Sequence, residues 1–554
     1  RTHVGNLADR VRHHLFLGGH RMVMGIRRTD CRAAAIIVIV ALLIVASVSA
    51  CANQPRQHIG SSITYVEAQE FDSLYPPAAD FYPNGGIVHN ITDRLLFQDP
   101  VTLDLYPWIA TALPEVNENA TEFTFKLRKD VTYSDGSHVN AANVVRNFDL
   151  FGLGDEGRRF APSPALPHYQ RAEALDAYTV KFYFSEPTPE FPQAVSMPRA
   201  GLLADATLKR TMEGFGPGHA TDIVASGPFV VSDERVGEEL TLTARDDYNW
   251  APAVREHEGR PAIDSVRVVF NQEDTERVGL VTGRAADIAA RIDPSDESQV
   301  RQARLNLVAA STRGVNNSLT FRPGHPLLQD KRVRQAIIAG VDRKAIRDDL
   351  FTDSYPLATS ILAERAPGYK KQKPYKHDTA RANTLLDQAG WVRNPDDGIR
   401  EKNGQRLSLN VNDALPLPRS KEVVAMLQEQ LKDIGVEINF YPGDFADQVE
   451  AVKDPNKIQL FHSMSDGTLY QQFSTSRIDA AHNTHSDGSL LDPQLEELLA
   501  PQTVEQAQDY LTEQAYVLPL VEQPVVYGLR TYVHGFDTDP TGLPSFYQVS
   551  RLGR

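Results

Sequence analysis

Apolar and polar side chains alternate along several short stretches in the first half of the chain. The clearest of these stretches begin at Phe123, Val180 and Leu240, and a period of two is the pattern of a strand that buries one face. Asn140 stands where a helix would be capped, because Val144 and the next apolar residues then fall on one helical face. The first half therefore predicts half-buried strands with a capped helix between two of them.

The second half shows helical spacing as well. Apolar residues recur at helical intervals within residues 330–350 and again within 424–434, where Gly435 is a natural residue to end the second helix. Alternating stretches at 407–411 and 436–440 flank that second helix. A strand, a helix and a strand in this order form a β-α-β unit, which predicts a parallel or mixed sheet covered by helices.

The N-terminal region has a different pattern. Residues 33–50 carry no charge, three arginines precede them, and the stretch ends in Val48-Ser49-Ala50-Cys51. A basic lead, a short apolar core and small residues before a cleavage site are typical of a secretory signal. We therefore interpret residues 1–50 as a leader, in which residues 1–21 precede a better start at Met22 or Met24.

A cysteine directly after such small residues resembles the lipobox of bacterial lipoproteins, in which the thiol is acylated and the preceding segment is removed. The mature chain is then expected to begin at Cys51, to be lipid-anchored outside the cell membrane, and to continue into a polar tether, residues 51–62. The alternative is a single transmembrane helix, since eighteen uncharged residues reach the lower limit for spanning a bilayer. The small residues at the end of the stretch, with no positive cluster after Cys51, favour the lipoprotein.

Composition limits the classes of partner and of site. Of 57 Lys and Arg and 72 Asp and Glu residues, seven basic and two acidic ones fall within residues 1–51, so the remainder has 50 against 70, a net charge of −20. Such a chain repels nucleic acid and anionic lipid. Cys31 and Cys51 are the two cysteines, which excludes a disulfide or a thiolate metal site from the folded body. The length predicts two or three domains.

Six segments occur in the order in which one protein family carries them. They are residues 123–137 with 141–148, 225–229, 333–346, 380–391, 427–436, and 516–520 with 533–536. Each segment alone is weakly specific, whereas six in this order over residues 60–540 are strongly specific. Together they resemble the family 5 solute-binding proteins of ABC importers, the class that binds oligopeptides, dipeptides and nickel.

The resemblance implies an α/β, two-lobed periplasmic-binding-protein-like fold of type II, with mixed sheets covered by helices and an extra subdomain on the first lobe. The expected boundaries are residues 63–92, 200–312 and 518–554 for lobe I, 93–199 for the extra subdomain, and 313–517 for lobe II. Such lobes close over a solute by hinge motion, and a membrane permease with its ATPase then takes up the solute. No catalytic residue, cofactor or metal ion is expected.

Asp466 is the first candidate for ligand contact, because an aspartate in this region meets the α-ammonium group of the ligand in peptide-binding members. A buried carboxylate without a counter-charge would select a cationic group, whereas Ser465-Asp466-Gly467 is also a good turn sequence. Asn316 and Asn317 lie at the expected entry to lobe II. Their amides would either bind backbone groups of a ligand or cap a loop.

Aromatic residues near the expected cleft are further candidates. Phe81, Tyr82 and Asn84 come just before Gly86, at the cleft edge of lobe I that the resemblance implies. Trp108 and Tyr470 are candidates of the same kind. Their rings would either line a side-chain pocket or pack in the core.

The nickel-binding members make a metal site an alternative. His482 and His485 are three residues apart and His462 lies upstream, but their loop-like context fixes no third ligand. We therefore expect surface histidines, and a metal chelate such as a siderophore complex is the alternative solute.

Two further classes of protein compete with a transport role. A secreted hydrolase is the first rival, and the sequence has neither a G-x-S-x-G elbow nor an H-E-x-x-H pair. The second rival is a sensory or structural lipoprotein that kept the fold and lost transport, and the sequence alone does not distinguish it. Permease and ATPase genes beside this gene would favour import.

Overall fold

The computed structural model describes residues 61–465, 467–475, 482–485 and 487–552. The predicted leader, the acylation site Cys51, most of the tether and Asp466 lie outside the described residues. Of the helices within the described residues, none combines the length and the apolar character that crossing a membrane requires.

The strands are short and spread along the whole described chain. In chain order, β1 to β13 are Ser62–Glu67, Leu96–Gln98, Leu105–Pro107, Glu115–Val116, Glu122–Lys126, Tyr169–Asp176, Thr179–Phe184, Phe229–Arg235, Glu239–Ala244, Ser265–Phe270, Ile288–Ala289, Asn306–Ala310 and Val315–Phe321. Strands β14 to β25 are Val392–Arg393, Arg400–Lys402, Gln405–Arg406, Ser408–Asn412, Glu437–Tyr441, Leu460–Ser465, Val517–Val521, Val525–Leu529, Val533–His534, Asp537–Thr538, Pro544–Ser545 and Ser550–Arg551.

The helices are concentrated in the second half. In chain order, α1 to α14 are Tyr82–Ile91, Ala141–Leu153, Phe191–Ala194, Asp205–Leu208, Asp274–Thr282, Glu297–Gln302, Lys331–Gly340, Arg343–Leu350, Thr379–Gln388, Ser420–Lys432, Phe445–Ala451, Leu469–Phe473, Pro493–Leu498 and Val504–Glu513. Short 3-10 helical turns lie at Pro76–Ala78, Glu156–Arg158, Pro198–Ala200, Met212–Phe215, Ala220–Asp222, Pro294–Asp296, Pro326–Leu328 and Pro501–Thr503.

Lobe I is built on a seven-stranded mixed sheet. Its strand order is β12-β21-β11-β1-β10-β9-β8, and β1 pairs in parallel with both β10 and β11. Helix α1 follows β1 and buries most of its residues, with Ile87, Val88 and Ile91 in the core of the lobe. The C-terminal strand β21 inserts between β12 and β11, so the end of the chain completes the first lobe.

The extra subdomain is a separate antiparallel sheet of order β4-β5-β7-β6 with α2 packed on it. The predicted alternation is confirmed, since Phe123 pairs with Phe182, Phe125 pairs with Val180, and all four side chains are buried. The side chain of Asn140 caps α2 by accepting a hydrogen bond from the backbone N–H of Asn143 at 2.9 Å. The local sequence pattern therefore determines this subdomain.

Lobe II is built on a five-stranded mixed sheet of order β18-β17-β19-β13-β20. The predicted β-α-β unit is confirmed, because β17 and β18 pair in parallel and α10 connects them. Gly435 ends the turn after α10 at a φ of +81°, in the left-handed region that favours glycine. The backbone N–H of Val436 then donates to Leu431 O at 3.0 Å, a helix-terminating contact.

The helical stretch predicted within residues 330–350 is divided into α7 and α8. Val341 keeps the helical spacing of apolar residues and is buried, but it lies after the end of α7 with extended backbone angles. Asp342 then caps α8, because its side chain accepts from the backbone N–H of Ala345 at 3.0 Å. Asp342, a capping residue in the middle of the predicted helical stretch, thus starts a second helix.

The chain crosses between the two large sheets twice, at residues 311–314 and again at 522–524. The first crossing lies at the predicted boundary. The second corrects the predicted boundary before residue 518, since β20 pairs with β13 in lobe II and the chain returns only after Val521. The hydroxyl of Thr312 donates to Gln523 O at 2.8 Å and so joins the two crossings.

Candidate binding cleft between the lobes

A cavity of about 930 Å³ lies between lobe I and lobe II. Its lobe I wall includes the start of α1 and residues 291–296, and its lobe II wall includes residues 412–422 and the end of β19. Thr312 and Gln523 of the two crossings also line it. The volume is near the upper end of the range of about 300–1,000 Å³ that ligand pockets occupy.

Phe81 and Tyr82 are brought to the lobe I wall at the first turn of α1. The hydroxyl of Tyr82 donates to Thr541 O at 2.8 Å, so the C-terminal segment fixes the ring. The guanidinium of Arg291 lies 4.5 Å from the centre of that ring and 3.4 Å from a carboxylate oxygen of Glu67. An apolar ring held beside a cation suits either a hydrophobic or an anionic part of a ligand.

Asn84, Trp108 and Tyr470 are not among the residues that line the cavity. The Asn84 amide donates to the Asp72 carboxylate at 2.6 Å and accepts from the Asp72 N–H at 2.8 Å, which makes it a buried support of the preceding loop. Trp108 stacks 4.6 Å from the Arg94 guanidinium. Tyr470 lies in α12 and packs against an apolar cluster of lobe II.

Asn316 and Asn317 lie on β13, behind the cavity wall, and are fully buried. The Asn316 amide donates to Ser360 O at 3.0 Å. The Asn317 amide donates to Oε1 of Gln523 at 3.1 Å, and its oxygen lies 2.8 Å from Nε2 of His462. Both residues therefore support the cleft from behind, and Asn317 contacts two residues of its wall.

The expectation of surface histidines is wrong for His462 and His482, which are 1% and 4% exposed and line the cavity. Apolar packing buries His482, whose ring lies 5.2 Å from that of Phe461 and 5.5 Å from that of Phe473. Its Nδ1 has no hydrogen-bond partner in the described part of the chain. His485 is exposed, as expected.

Burial sets the charge of both cavity histidines. It lowers the pKa of His462 from 6.5 to about 4, so the ring is neutral at neutral pH. Burial also lowers the pKa of His482, and the cation of Arg322 lowers it further. Among the described residues, no group of three His, Cys, Asp or Glu side chains is arranged to hold a metal ion.

Two carboxylates of the cavity wall have raised pKa values. Burial raises the pKa of Asp296 on the lobe I side, and the negative charges of Asp293 and Asp274 raise it further. Burial likewise raises the pKa of Asp413 on the lobe II side. Such carboxylates gain most from a cationic partner.

Asp413 is a site residue that the sequence reasoning missed. It is 2% exposed, one carboxylate oxygen has no hydrogen-bond partner among the described residues, and the closest cation is Nζ of Lys421 at 3.9 Å. A signal for it was present, since Asp413 directly follows β17 of the predicted β-α-β unit. Ligands in α/β sheets bind beyond the carboxyl ends of the strands.

Asp466 lies outside the described residues, and both of its neighbours in the chain, Ser465 and Gly467, line the cavity. Strand β19 ends at Ser465, and Thr468 caps α12 with a reciprocal contact to Gln471. Ligand contact by Asp466 remains a prediction.

Comparison with known proteins gives consistent results. The family described as bacterial extracellular solute-binding proteins, family 5 Middle, matches residues 104–481. The di/tripeptide-binding protein 1 of Pseudomonas aeruginosa (strain UCBPP-PA14) is 24% identical over 487 residues, which cover 79% of this chain and 84% of that protein.

Solved structures share the fold, and two of them are compared as examples. NikA from Brucella suis, in complex with Fe(III)-EDTA, has a TM-score of 0.74 and 21% identity, and covers 89% of this chain and 100% of its own. AppA from Bacillus subtilis, in complex with a nonapeptide, has a TM-score of 0.72 and 18% identity, and covers 90% of this chain and 100% of its own. The expected two-lobed α/β fold is therefore confirmed.

Proposed function

Because the chain belongs to the bacterial extracellular solute-binding proteins of family 5, we propose that it captures a peptide or a similar solute between its lobes for an ABC importer. Proteins of this family bind solutes for transport, so the chain is an extracytoplasmic binding protein and not an enzyme. The observation that carries the proposal is the cavity of about 930 Å³ walled by both lobes at their two crossings.

Capture follows from the position of the cavity. A solute that contacts both walls binds the closed arrangement better than the open one, and closure is favoured by that difference in affinity. Closure also removes water from the cavity, which strengthens each polar contact inside it. The permease and its ATPase are the partners that then accept the solute.

Two carboxylates of the wall favour a solute with a cationic group. Asp413 and Asp296 are carboxylates whose burial raises their pKa, and a ligand ammonium in contact with them would stabilise their charged forms. The residues before and after Asp466 in the sequence, Ser465 and Gly467, line the wall, which supports a third carboxylate contact to the α-ammonium group of a peptide. Phe81 and Tyr82 would pack against an apolar side chain of the same ligand.

A metal chelate or siderophore complex is the second candidate solute. His482 supports it, since this residue lines the cavity and its Nδ1 is without a partner in the described part of the chain. The fold shared with NikA in complex with Fe(III)-EDTA is consistent with a chelate of similar size. A single open imidazole nitrogen favours a bound complex over a free metal ion.

Lipid anchoring through Cys51 is the remaining part of the proposal. It rests on the Val48-Ser49-Ala50-Cys51 sequence and on the polar tether that follows. A lipid on the first residue of the mature chain would keep the binding lobes at the membrane that holds the permease.

A thermal-shift screen tests the proposed function. The panel consists of di- and tripeptides, longer peptides, nickel and iron chelates, siderophores and haem. A solute at one hundred times its dissociation constant stabilises the fold by about 2.7 kcal/mol, so at least one member should raise the unfolding temperature. No shift across the panel, or turnover of a bound peptide or ester detected by mass spectrometry, would contradict the proposal and favour a rival class.

A further inference from the structure

A second cavity, of about 530 Å³, lies at the edge of lobe I where β1 begins. None of its lining residues also lines the cleft, and three of its eight lining residues are arginines. The residues that line it are Ser62, Thr64, Arg284, Ala285, Asp287, Arg530, Tyr532 and Arg551.

The single carboxylate of this cavity is already engaged. One oxygen of Asp287 accepts from the backbone N–H of Thr64 at 2.7 Å. The other accepts from the hydroxyl of Tyr532 and lies 3.8 Å from a guanidinium nitrogen of Arg551. Both oxygens of Asp287 therefore already have partners within lobe I.

The other two arginines have no carboxylate partner. Among the described residues, neither Arg284 nor Arg530 forms an ion pair, although the chain has 72 acidic against 57 basic residues. Arg530 makes one long contact, 3.4 Å from Nη1 to Val281 O, and its buried Nε has no partner in the described part of the chain. One buried N–H donor of this cavity, Nε of Arg530, thus remains unsatisfied.

Two of the three guanidinium groups, those of Arg530 and Arg551, contact a tyrosine ring. The centre of the Tyr532 ring lies 4.8 Å from the guanidinium of Arg551 and 5.8 Å from that of Arg530. Arg551 in addition donates to Ser62 O at 3.1 Å. Stacked and hydrogen-bonded guanidinium groups lose little freedom when they bind an anion.

We propose that this cavity binds a phosphate group, held by Arg284, Arg530 and Arg551. The three guanidinium groups and the one carboxylate together carry a net charge of about +2, which matches the charge of a phosphate dianion. Each guanidinium group can also donate two parallel hydrogen bonds to phosphate oxygens. The proposal is independent of the solute in the cleft.

Two sources offer this chemistry. One is a free phosphate or phosphate ester. The other is a phospholipid headgroup, since β1 begins eleven residues after Cys51, a span of at most about 40 Å in an extended chain. The net negative charge of the remaining surface repels anionic lipid at long range. Salt at physiological concentration screens this repulsion beyond about 8 Å.

Titration of the full-length chain with inorganic phosphate, at constant ionic strength against chloride, tests the site. Wild type should bind phosphate in preference to chloride, and the double variant Arg284→Gln/Arg530→Gln should lose at least tenfold in affinity. Arg171→Gln changes an exposed arginine of the extra subdomain that pairs with Glu173, and it should bind as wild type does. Thermal unfolding of each variant verifies that the fold is kept.

Vesicles then distinguish the two sources. If a lipid headgroup is the source, phosphatidylglycerol vesicles should retain wild type and Arg171→Gln better than the double variant, whereas phosphatidylcholine vesicles should not discriminate. Equal retention of all three proteins, together with arginine-dependent phosphate binding, would identify a free phosphate compound as the source. Phosphate binding no stronger than chloride binding, or unchanged in the double variant, would overturn the proposal.

Discussion

Nε2 of His462 lies 2.8 Å from the side-chain oxygen of Asn317, in the buried interior behind the cleft wall. The Asn317 amide donates to Gln523 at 3.1 Å, and the Ser420 hydroxyl lies 3.1 Å from the other ring nitrogen of His462. Gln523 belongs to a crossing between the lobes, and Ser420 begins the helix that follows Asp413. One buried polar network therefore joins the hinge to a charged loop of the cleft.

Replacing His462 with glutamine should reduce the acid sensitivity of the fold. Burial lowers the pKa of His462 from 6.5 to about 4, so its contribution to stability is complete above pH 6.5 and is lost as the pH falls through 4. Between pH 7 and pH 4, the free energy of unfolding of wild type should fall by about 3 kcal/mol more than that of His462→Gln.

Urea unfolding of both proteins at pH 7, 5.5 and 4 measures this difference. His485→Gln is the matched control, because His485 is exposed and its loss should leave the pH dependence of wild type unchanged. If the free energy of unfolding falls equally with pH in wild type and His462→Gln, the pKa of His462 is not lowered by burial.

Gly227 should tolerate no side chain. A Cβ atom there would lie 2.3 Å from the backbone carbon of Ile91 and 2.5 Å from the nitrogen of Thr92, at the end of α1 that leads into the extra subdomain. Gly227→Ala should therefore cost at least about 2 kcal/mol. Gly279→Ala is the control, since that glycine lies in α5 with no atom from outside its own helix within 4 Å of the added carbon, and it should stabilise slightly. Equal stability of the two variants in urea would contradict the close approach.

Asp413 should discriminate between cationic and neutral forms of the bound solute. If its unpartnered oxygen meets a ligand ammonium, Asp413→Asn should weaken binding by about 1.5–3 kcal/mol, roughly ten- to a hundredfold. The N-acetylated form of the same solute should bind wild type and variant alike. Calorimetric titration of Asp413→Asn and Asp466→Asn, side by side, identifies which carboxylate meets the charge. If both variants bind the solute with the affinity of wild type, neither Asp413 nor Asp466 contacts the ligand.

Arg365 should favour the closed arrangement. It lies in lobe II and donates to the backbone oxygens of Pro100 and Val101 in the extra subdomain, to the second at 3.0 Å. Arg365→Ala removes this contact between lobes and should weaken solute binding by about 1 kcal/mol, roughly fivefold, without lowering the unfolding temperature. Small-angle scattering of the solute-free protein should show a larger radius of gyration. Arg381→Ala, an exposed arginine of α9, should change neither quantity.

Cys51→Ser should abolish acylation, because the thiol is the predicted site of lipid attachment in the Val48-Ser49-Ala50-Cys51 sequence. Metabolic labelling with a fatty acid and fractionation of membranes measure the result. Unchanged labelling and unchanged membrane association in the variant would refute the lipoprotein prediction.

Much of the fold was predictable because local pattern determines it. The alternation around Phe123, the cap at Asn140 and the helix end at Gly435 each depend on residues close in sequence. The return crossing was placed too early because β20 and β21 are both continuously buried apolar strands. Only the pairing of each strand with a distant partner decides which sheet it joins.

The candidate site was less predictable, since its contacts join residues far apart in the chain. Tyr82 is held by Thr541, and Asn317 reaches Gln523. The hydrogen-bonding capacity of an asparagine does not by itself show whether the residue lines the cavity or lies behind its wall. Burial of His482 likewise depends on the rings of Phe461 and Phe473, which no spacing rule brings together.

The central claim is capture by closure of the lobes, and a distance between the lobes tests it most directly. Spin labels on cysteines replacing the exposed residues Glu118 of the extra subdomain and Glu429 of lobe II report this distance, with Cys31 and Cys51 replaced. Saturation with a solute from the thermal-shift panel should convert a broad distribution into a shorter and narrower one. A solute that binds and stabilises the protein while leaving the distribution unchanged would contradict the account.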